Sequence, residues 1–275
     1  MLLFSTDRKS GLFFKYLVSY MVILCIPLVV TIIFVFGHFN RVLEKEITAR
    51  NLDILAQINN TIDGRMLEFN SIANRIFNNY KLRPRALAKS TISRMEAIQE
   101  LNNYCVGNDF IHNLVLYVKG TDFLISAAGT YDVSNFINYV YKYENWNYDD
   151  FVKDINARTG SVFRCSDNVF LSGSNNTERF ITYIIPGDQI TVIFLLNESK
   201  IKNLLTLKSA DVCENTVILD SDSNDSNIVT SVKDLSDLHS EIIFNHLKPT
   251  GKNGTGIVEI RKLDYFYSYI RSGVT

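Results

Sequence analysis

The chain has 275 residues, with 28 basic and 29 acidic side chains and a formal net charge of −1, so it carries no overall electrostatic footprint for nucleic acid. Its four cysteines form no CxxC pair, and only three of them follow the apolar N-terminal segment, so no disulfide framework is predicted. The length is sufficient for one large domain or two of ordinary size.

The first predicted element is an uncharged apolar helix, Tyr16–Phe36. A helix needs about 20 apolar residues to cross the hydrocarbon layer of a bilayer, and this segment has 21 residues without a charged side chain or a histidine. A cleaved secretory signal would have a shorter apolar core and a small-residue cleavage site, and "FGHFNRVLEKE" offers no A-x-A pattern. A buried core helix is the other alternative. The pattern favours an uncleaved membrane anchor.

Basic residues flank the apolar segment equally on both sides: Arg8, Lys9 and Lys15 precede it, and Arg41, Lys45 and Arg50 follow it. The short basic N-terminus is nevertheless typical of a signal anchor, and long C-terminal domains translocate largely regardless of charge. We therefore expect a single-pass protein of the cell membrane, with a cytoplasmic N-terminus and the residues after about 38 outside the cell.

A second helical pattern runs from Asn40 to about Leu82, where apolar residues recur mostly at steps of three and four. Pro84 ends it. The pattern is compatible with a coiled-coil stalk or with a spine on which a globular sensor packs, and the lack of a strict heptad favours the spine. We expect a homodimer through these helices.

Beyond Pro84 the pattern shortens to strand periodicity. After a helix near Ser93–Tyr104, "HNLVLYVKG" and "FLISAAGTY" predict a hairpin around Lys119–Asp122. The stretch from Val133 to Ile155 has helical character. Two further strands, "RFITYII" and "ITVIFLL", flank the turn "PGDQ", and Asn197 is the expected cap of the next helix. These elements form one α+β unit.

A second unit begins with the strand "NTVILD", followed by a turn, the helix "VKDLSDLHSEIIFNHL" and two strands around Lys262–Asp264. Because the chain stops in or just after a strand, we expect this unit to be incomplete. The predicted segments are a tail (1–14), a transmembrane helix (15–38), a long helix (39–84), a first lobe (85–205) and a partial second lobe (206–275).

No motif predicts catalysis or a metal site. The run "DSDSNDSN" places Asp220, Asp222 and Asn224 at positions one, three and five of an EF-hand loop, but Asp225 and Ser231 stand where glycine and glutamate are needed. The four histidines form no HExxH, and the chain has neither GxSxG nor a glycine-rich phosphate loop. We therefore predict a binding module, not an enzyme, without cofactor or metal.

The candidate ligand site is the aromatic stretch "YVYKYENWNYDDF" together with the neighbouring strands. Small-molecule pockets combine aromatic walls with a few polar groups, although the same rings could simply pack on the sheet. The candidate ligand-binding residues are Tyr117, Ser126, Tyr131, Trp146, Arg164 and Tyr183.

The basic start, the span containing "SYMVILCIPLVV", the helix "NLDILAQINNTIDGRMLEFNSIANRIFNN" and the two α+β units together resemble the N-terminal half of membrane-bound AraC-type transcription regulators of Gram-positive bacteria. The extracellular sensor of that family is a double Cache domain. The resemblance implies that the spine helix runs along both lobes and that the membrane-distal lobe binds a small molecule. The arginine-x-tryptophan-tyrosine pattern of amino-acid-binding Cache lobes is missing, because Glu144 and Asn145 precede Trp146.

The predicted fold class is α+β: a single N-terminal transmembrane helix continues into a long spine helix, followed by Cache-like (PAS-like) antiparallel sheet lobes, the second one incomplete. The expected function is small-molecule sensing for a transcription regulator, with the lipid bilayer as a partner and no nucleic-acid contact by this chain. The alternatives are the input half of a histidine kinase or chemoreceptor, which use similar sensors, and a structural surface protein with a stalk, which predicts no pocket.

Overall fold

The computed structural model describes residues 7–157, 160–173, 177–208, 216–219, 228–231, 253–260 and 263–271. The chain falls into two compact units, Met1–Asp53 and Ile54–Thr275. The first helix, α1 (Asp7–Asn78), begins in the first unit and ends in the second.

In the first unit α1 carries the apolar segment found in the sequence. Its side chains are exposed from Phe14 to Phe36, and the helix is long and apolar enough to cross a membrane. The hydroxyl of Thr31 donates to the carbonyl of Pro27 at 2.8 Å, so this polar group of the segment is satisfied within the helix.

The second unit is α+β. Its further helices are α2 (Pro84–Leu87), α3 (Thr91–Cys105), α4 (Val133–Asn135), α5 (Tyr148–Ile155) and α6 (Glu198–Lys208), with a 3₁₀ turn at Tyr80–Leu82 and a π turn at Phe136–Val140. The strands of the main sheet are β1 (Ile111–Val118), β2 (Phe123–Ser126), β3 (Gly129–Asp132), β4 (Tyr141–Tyr143), β5 (Val162–Leu171), β6 (Thr177–Pro186) and β7 (Ile190–Asn197).

These seven strands form one antiparallel sheet in the order β3-β2-β1-β7-β6-β5-β4, curled into a half-barrel. The central pair joins β1 to β7, which are distant in sequence, with Leu116 opposite Val192. Four further strands form two separate antiparallel pairs: β8 (Val217–Leu219) with β9 (Ile228–Ser231), and β10 (Asn253–Ile260) with β11 (Leu263–Ile270).

Side chains alternate between the two faces of the main sheet, as a strand requires. We call one side the helix face: its residues, such as Leu114, Leu116 and Phe194, pack with Phe69 and Ile76 of α1 and with residues of α3. We call the other side the α5 face, because α4, the π turn and α5 cover it. Its core includes Val115, Phe136, Phe151, Ile155 and Ile193.

The predicted hairpins are confirmed. The turn at Lys119–Asp122 joins β1 to β2, and the turn "PGDQ" lies between β6 and β7. The predicted cap is also confirmed, since Asn197 Oδ1 accepts from the Ser199 amide at 3.0 Å.

Three local predictions were wrong or incomplete. "FLISAAGTY" is divided into β2 and β3 by a tight turn, in which Ser126 Oγ accepts from the amides of Ala128 and Gly129. The stretch from Val133 to Ile155 is not continuously helical, because β4 interrupts it. The long strand β5 was not predicted at all. The acidic run at 220–227 and the helix predicted at 232–247 lie outside the described residues.

Candidate ligand-binding site

The aromatic stretch folds onto the α5 face through a local motif at the start of α5. Asn147 is the N-cap, and its side chain accepts from the Asp150 amide at 2.9 Å. Trp146, directly before the cap, packs edge-on against Phe151 with ring centroids 4.9 Å apart. A contact between the residue before the cap and the fourth helical residue is a hydrophobic staple, which fixes the direction in which the chain enters the helix.

Trp146, Asp154 and Arg164 form the polar centre of this region. Trp146 Nε1 donates to Asp154 Oδ2 at 3.2 Å, and Arg164 Nη1 donates to the same oxygen at 2.9 Å. The Arg164 guanidinium lies over the Trp146 ring, 4.6 Å from its centroid. Trp146 is 3% exposed, whereas the side chains of Asp154 and Arg164 are 18% and 33% exposed. The cluster therefore connects the buried core with the surface.

Two tyrosines extend this polar network into the core. The Tyr143 hydroxyl lies 3.0 Å from Thr182 Oγ1, and the Tyr141 hydroxyl accepts from Asn113 Nδ2 at 2.9 Å. Burial raises the pKa of both phenols above the ordinary value, because a phenolate is poorly solvated there; the hydrogen bonds oppose this shift. Both hydroxyls therefore stay protonated at neutral pH and serve as hydrogen-bonding groups.

The C-terminal end of α5 is held by donors from the sheet. Thr191 Oγ1 donates to the carbonyl of Ile155 at 2.8 Å, and Lys119 Nζ donates to the carbonyl of Ala157 at 3.0 Å. The Tyr117 hydroxyl donates to Asn156 Oδ1 at 3.2 Å. The last carbonyls of a helix lack partners within the helix, so these bonds fix the end of α5 on the sheet.

The structure brings together three of the six residues proposed from the sequence. Trp146 and Arg164 share Asp154, and Tyr117 contacts the residue just beyond the same helix. Tyr131 packs against the same core from β3, 6.0 Å from the Phe136 ring. Ser126 lies in the β2–β3 turn, with its oxygen accepting backbone amides.

Tyr183 lies on the helix face, away from the other candidates. Its hydroxyl donates to Asn70 Oδ1 of α1 at 3.1 Å, and its ring packs near Phe163 and Phe194. It is thus part of the contact between the sheet and α1.

Sequence reasoning missed Asp154, Asn156, Thr182 and Thr191. A signal for Asp154 was present: Phe151, Asp154 and Ile155 are spaced three and four residues apart, so the carboxylate lies on the apolar side of α5. No comparable signal marks Thr182 or Thr191, which are single polar residues within apolar strands.

A separate open groove of about 690 Å³ lies on α1 and α3. Its lining is rich in amides and includes the Tyr104 ring beneath the Arg75 guanidinium, 5.6 Å from the ring centroid. The lining residues are Leu67, Asn70, Ser71, Asn74, Arg75, Asn78, Asn79 and Tyr104. None of the six candidate residues belongs to it.

Within the part of the chain that the structure describes, no three histidine, cysteine, aspartate or glutamate side chains lie close enough to hold a metal ion. Comparison of the chain with protein-family models gives no match, and comparison with curated proteins gives none either. The chemistry of the site therefore comes from its geometry alone: one arginine and one indole N–H converge on a carboxylate beneath a short helix.

Proposed function

We propose that the chain is the extracellular small-molecule sensing module of a membrane-bound AraC-type transcription regulator, with the output domain outside these 275 residues. The second candidate is the input half of a histidine kinase or chemoreceptor, which the same anchor and lobe would serve equally well. In either case this chain binds a ligand and is not itself an enzyme.

The observation that carries the proposal is the composition of α1. Its first part is an exposed apolar segment long enough to cross a membrane. Its last part contributes Phe69, Ile72, Ala73 and Ile76 to the buried core of the helix face. A lobe whose core includes the anchor helix cannot repack on that face without displacing the helix, and such coupling is what a transmembrane sensor requires.

The α5 face supports ligand binding in this lobe. Arg164 uses one N–H group on Asp154, and a guanidinium has five, so donors are left for an acceptor on a ligand. Trp146 and Tyr143 supply an aromatic wall beside it, with ring centroids 5.0 Å apart. Partly exposed polar groups above an aromatic core are typical of small-molecule sites.

A ligand shifts a conformational equilibrium only by the difference between its affinities for the two states. We propose that ligand contact with Arg164 weakens its bond to Asp154 and so changes the position of α5 on the sheet. The bound state would then differ from the free state in the packing of α5, and the sheet would transmit the change to α1.

Ligand binding can be tested with the fluorescence of Trp146, the one tryptophan of the chain. The full chain in lipid nanodiscs is titrated with organic acids, sugars and short peptides. A cognate ligand should shift or quench the emission, and Arg164→Gln should weaken its binding at least tenfold. Arg65→Gln is the matched control, because Arg65 forms a comparable ion pair with Glu68 at 2.8 Å away from this face.

The binding proposal fails if a ligand found by calorimetry leaves the Trp146 emission unchanged and binds the Arg164 variant with wild-type affinity. Reading the sequence that follows residue 275 separates the two output classes: a paired helix-turn-helix indicates the transcription regulator, whereas a phosphorylatable histidine helix with an ATP-binding domain indicates the kinase.

The membrane orientation is tested separately with single cysteines at Ser5 and at Ser172, which is exposed in the lobe, after replacement of the native cysteines by serine. In intact cells an impermeant maleimide should label position 172 and not position 5. Labelling of position 172 only after permeabilisation would contradict the extracellular assignment.

A further inference from the structure

In the second unit, one side of α1 is exposed and uncharged from Gln57 to Asn78. We call it the uncharged stripe. Its seven members are separated alternately by three and four residues, and all are exposed. They are Gln57, Asn60, Gly64, Leu67, Ser71, Asn74 and Asn78.

The stripe is not the apolar side of the helix. The apolar side, with Phe69, Ile72 and Ile76, is already buried against the sheet, so it cannot pair with a second molecule. Exposed sides of helices usually carry the charged residues, yet no stripe position does. The alternating steps average 3.5 residues, which is the period that keeps one helix in contact with another along its length.

Gly64 is a second indication of a neighbour. An exposed glycine inside a helix costs about 1 kcal/mol relative to alanine, and a Cβ at Gly64 would meet no atom of this chain within 4 Å. The fold of the single chain therefore gives no reason for a glycine. Close approach of another helix does, because the distance between two packed helices depends on the side chains at their contact.

The charges beside the stripe are engaged within their own chain. Glu68 pairs with Arg65 at 2.8 Å, Asp63 accepts from the Asn59 amide at 2.9 Å, and Arg75 lies over the Tyr104 ring. Two copies of such a surface can meet without placing unpaired like charges against each other. A strongly charged helix surface would repel its own copy.

We infer that the uncharged stripe is the surface through which two copies of this chain associate, with their α1 helices parallel. The parallel direction rests on the proposed anchoring, because two chains anchored by their N-terminal helices in one membrane point the same way. The open groove beside Asn74 and Asn78 then receives side chains of the partner. Asparagine at a helix–helix seam fixes register at a cost in stability.

Such an interface is polar and small. Over about 32 Å of helix, Leu67 is the one large apolar residue of the stripe, and it is 60% exposed. The affinity therefore depends on confinement in a membrane, which raises the effective concentration of the partner. A weak seam suits a sensor, because a change in lobe packing can then alter it.

The test uses the full chain in native membranes, with Cys25, Cys105, Cys165 and Cys213 replaced by serine. Single cysteines are introduced at Asn60, Leu67 and Asn74, and the matched control is Gln99→Cys, exposed on α3. Facing residues of a parallel seam approach within the range of a disulfide, in which the Cα atoms lie within about 7 Å. Mild oxidation should give covalent dimers at all three stripe positions, with a yield at least tenfold above that at position 99.

The pattern also reports direction. A parallel pair cross-links each position to its own copy. An antiparallel pair centred on position 67 would cross-link 67 to 67 but 60 to 74, and that result would overturn the inference as stated. Equal yields at Gln99, or no dimer at any stripe position in protein that still binds its lipid-facing detergent shell and resists trypsin, would also overturn it.

A second variant avoids cross-linking. Leu67→Glu should weaken dimerisation in detergent at least tenfold by light scattering, because it brings two carboxylates together, and it should leave thermal unfolding of the diluted monomer unchanged. Met95→Glu, at a 65% exposed site on α3, should leave the dimer intact. Wild-type dimerisation of the Leu67 variant would exclude the stripe, whatever the ligand titration of Trp146 shows, so failure here and failure of the sensor proposal are distinguishable.

Discussion

The two faces of the main sheet bury similar kinds of apolar residues but differ in their polar groups. On the helix face, the contact with α1 consists of rings and branched side chains, such as Phe69 against Phe194 with centroids 5.3 Å apart. On the α5 face, buried pairs such as Tyr143 with Thr182 are hydrogen-bonded between the rings. Net stabilisation by a hydrogen bond is modest, whereas a lost partner is costly. The helix face thus contributes stability, and the α5 face additionally fixes the position of polar groups.

The largest expected effect comes from a cavity in the helix face. Phe69→Ala removes a buried ring that contacts Phe194, and it should lower the free energy of unfolding by about 3–5 kcal/mol. Urea unfolding followed by Trp146 fluorescence measures this change. Met95→Ala, at an exposed site on α3, should change it by less than about 0.5 kcal/mol. A similar small effect of both variants would refute the division of roles.

A hydrogen-bond partner on the α5 face should matter less, and in a different way. Thr182→Val keeps the shape of the side chain and leaves the buried Tyr143 hydroxyl without its partner, at a cost of about 1–3 kcal/mol. Adding Tyr143→Phe should recover part of that loss, because the orphaned hydroxyl is removed. A double-mutant cycle in urea measures the coupling. Strictly additive effects would show that the two hydroxyls do not interact.

Burial of Tyr143 predicts a pH dependence. Its pKa is raised mainly by desolvation, so the unfolded chain releases the proton near pH 10 and the folded protein only at higher pH. The stability from this group is complete below about pH 10 and is lost as the pH rises through the folded pKa, at about 1.4 kcal/mol per pH unit. Between pH 9 and 11, Tyr143→Phe should flatten the fall in unfolding free energy. The exposed Tyr139→Phe should keep the wild-type slope; a Tyr143 variant with that same slope would contradict the assignment.

The ion pair at the surface of the α5 face should have the smallest effect on stability. Arg164→Gln breaks the bond to Asp154, and partly exposed pairs contribute about 0.2–1 kcal/mol. Because the guanidinium also lies over the Trp146 ring, the emission should shift even where stability hardly changes. Arg65→Gln should have a similar effect on stability without the shift. Identical emission spectra for both variants would mean that Arg164 does not contact the indole in solution.

The parts of the fold that the sequence predicted are those that depend on local patterns. The β1–β2 and β6–β7 hairpins follow from alternating apolar residues on either side of turn residues. Strand β5 was missed because its pairing with β6 shifts between Arg164 and Asp167, where one extra residue interrupts the alternation. The pairing of β1 with β7 joins segments far apart in the chain, and no local signal specifies it.

The candidate site shows the same limit. Trp146 and Arg164 were chosen by residue type, and the structure places them together, but their shared partner Asp154 lies on a helix that carries it there only after α5 has docked. Tyr183 was chosen for the same reason, yet a difference of one position along β6 puts it on the opposite face from Thr182. Residue type identifies candidates, whereas strand register decides which of them meet.

The edges of the main sheet are its shortest strands. Strand β3 has four residues and β4 has three, and the central residue of β4, Lys142, is exposed. A short edge with a charged side chain offers few free backbone groups to a foreign strand. At the high local concentrations of overexpression, misassembly by sheet extension is therefore disfavoured at this lobe, and soluble handling should depend on shielding the apolar segment from Phe14 to Phe36.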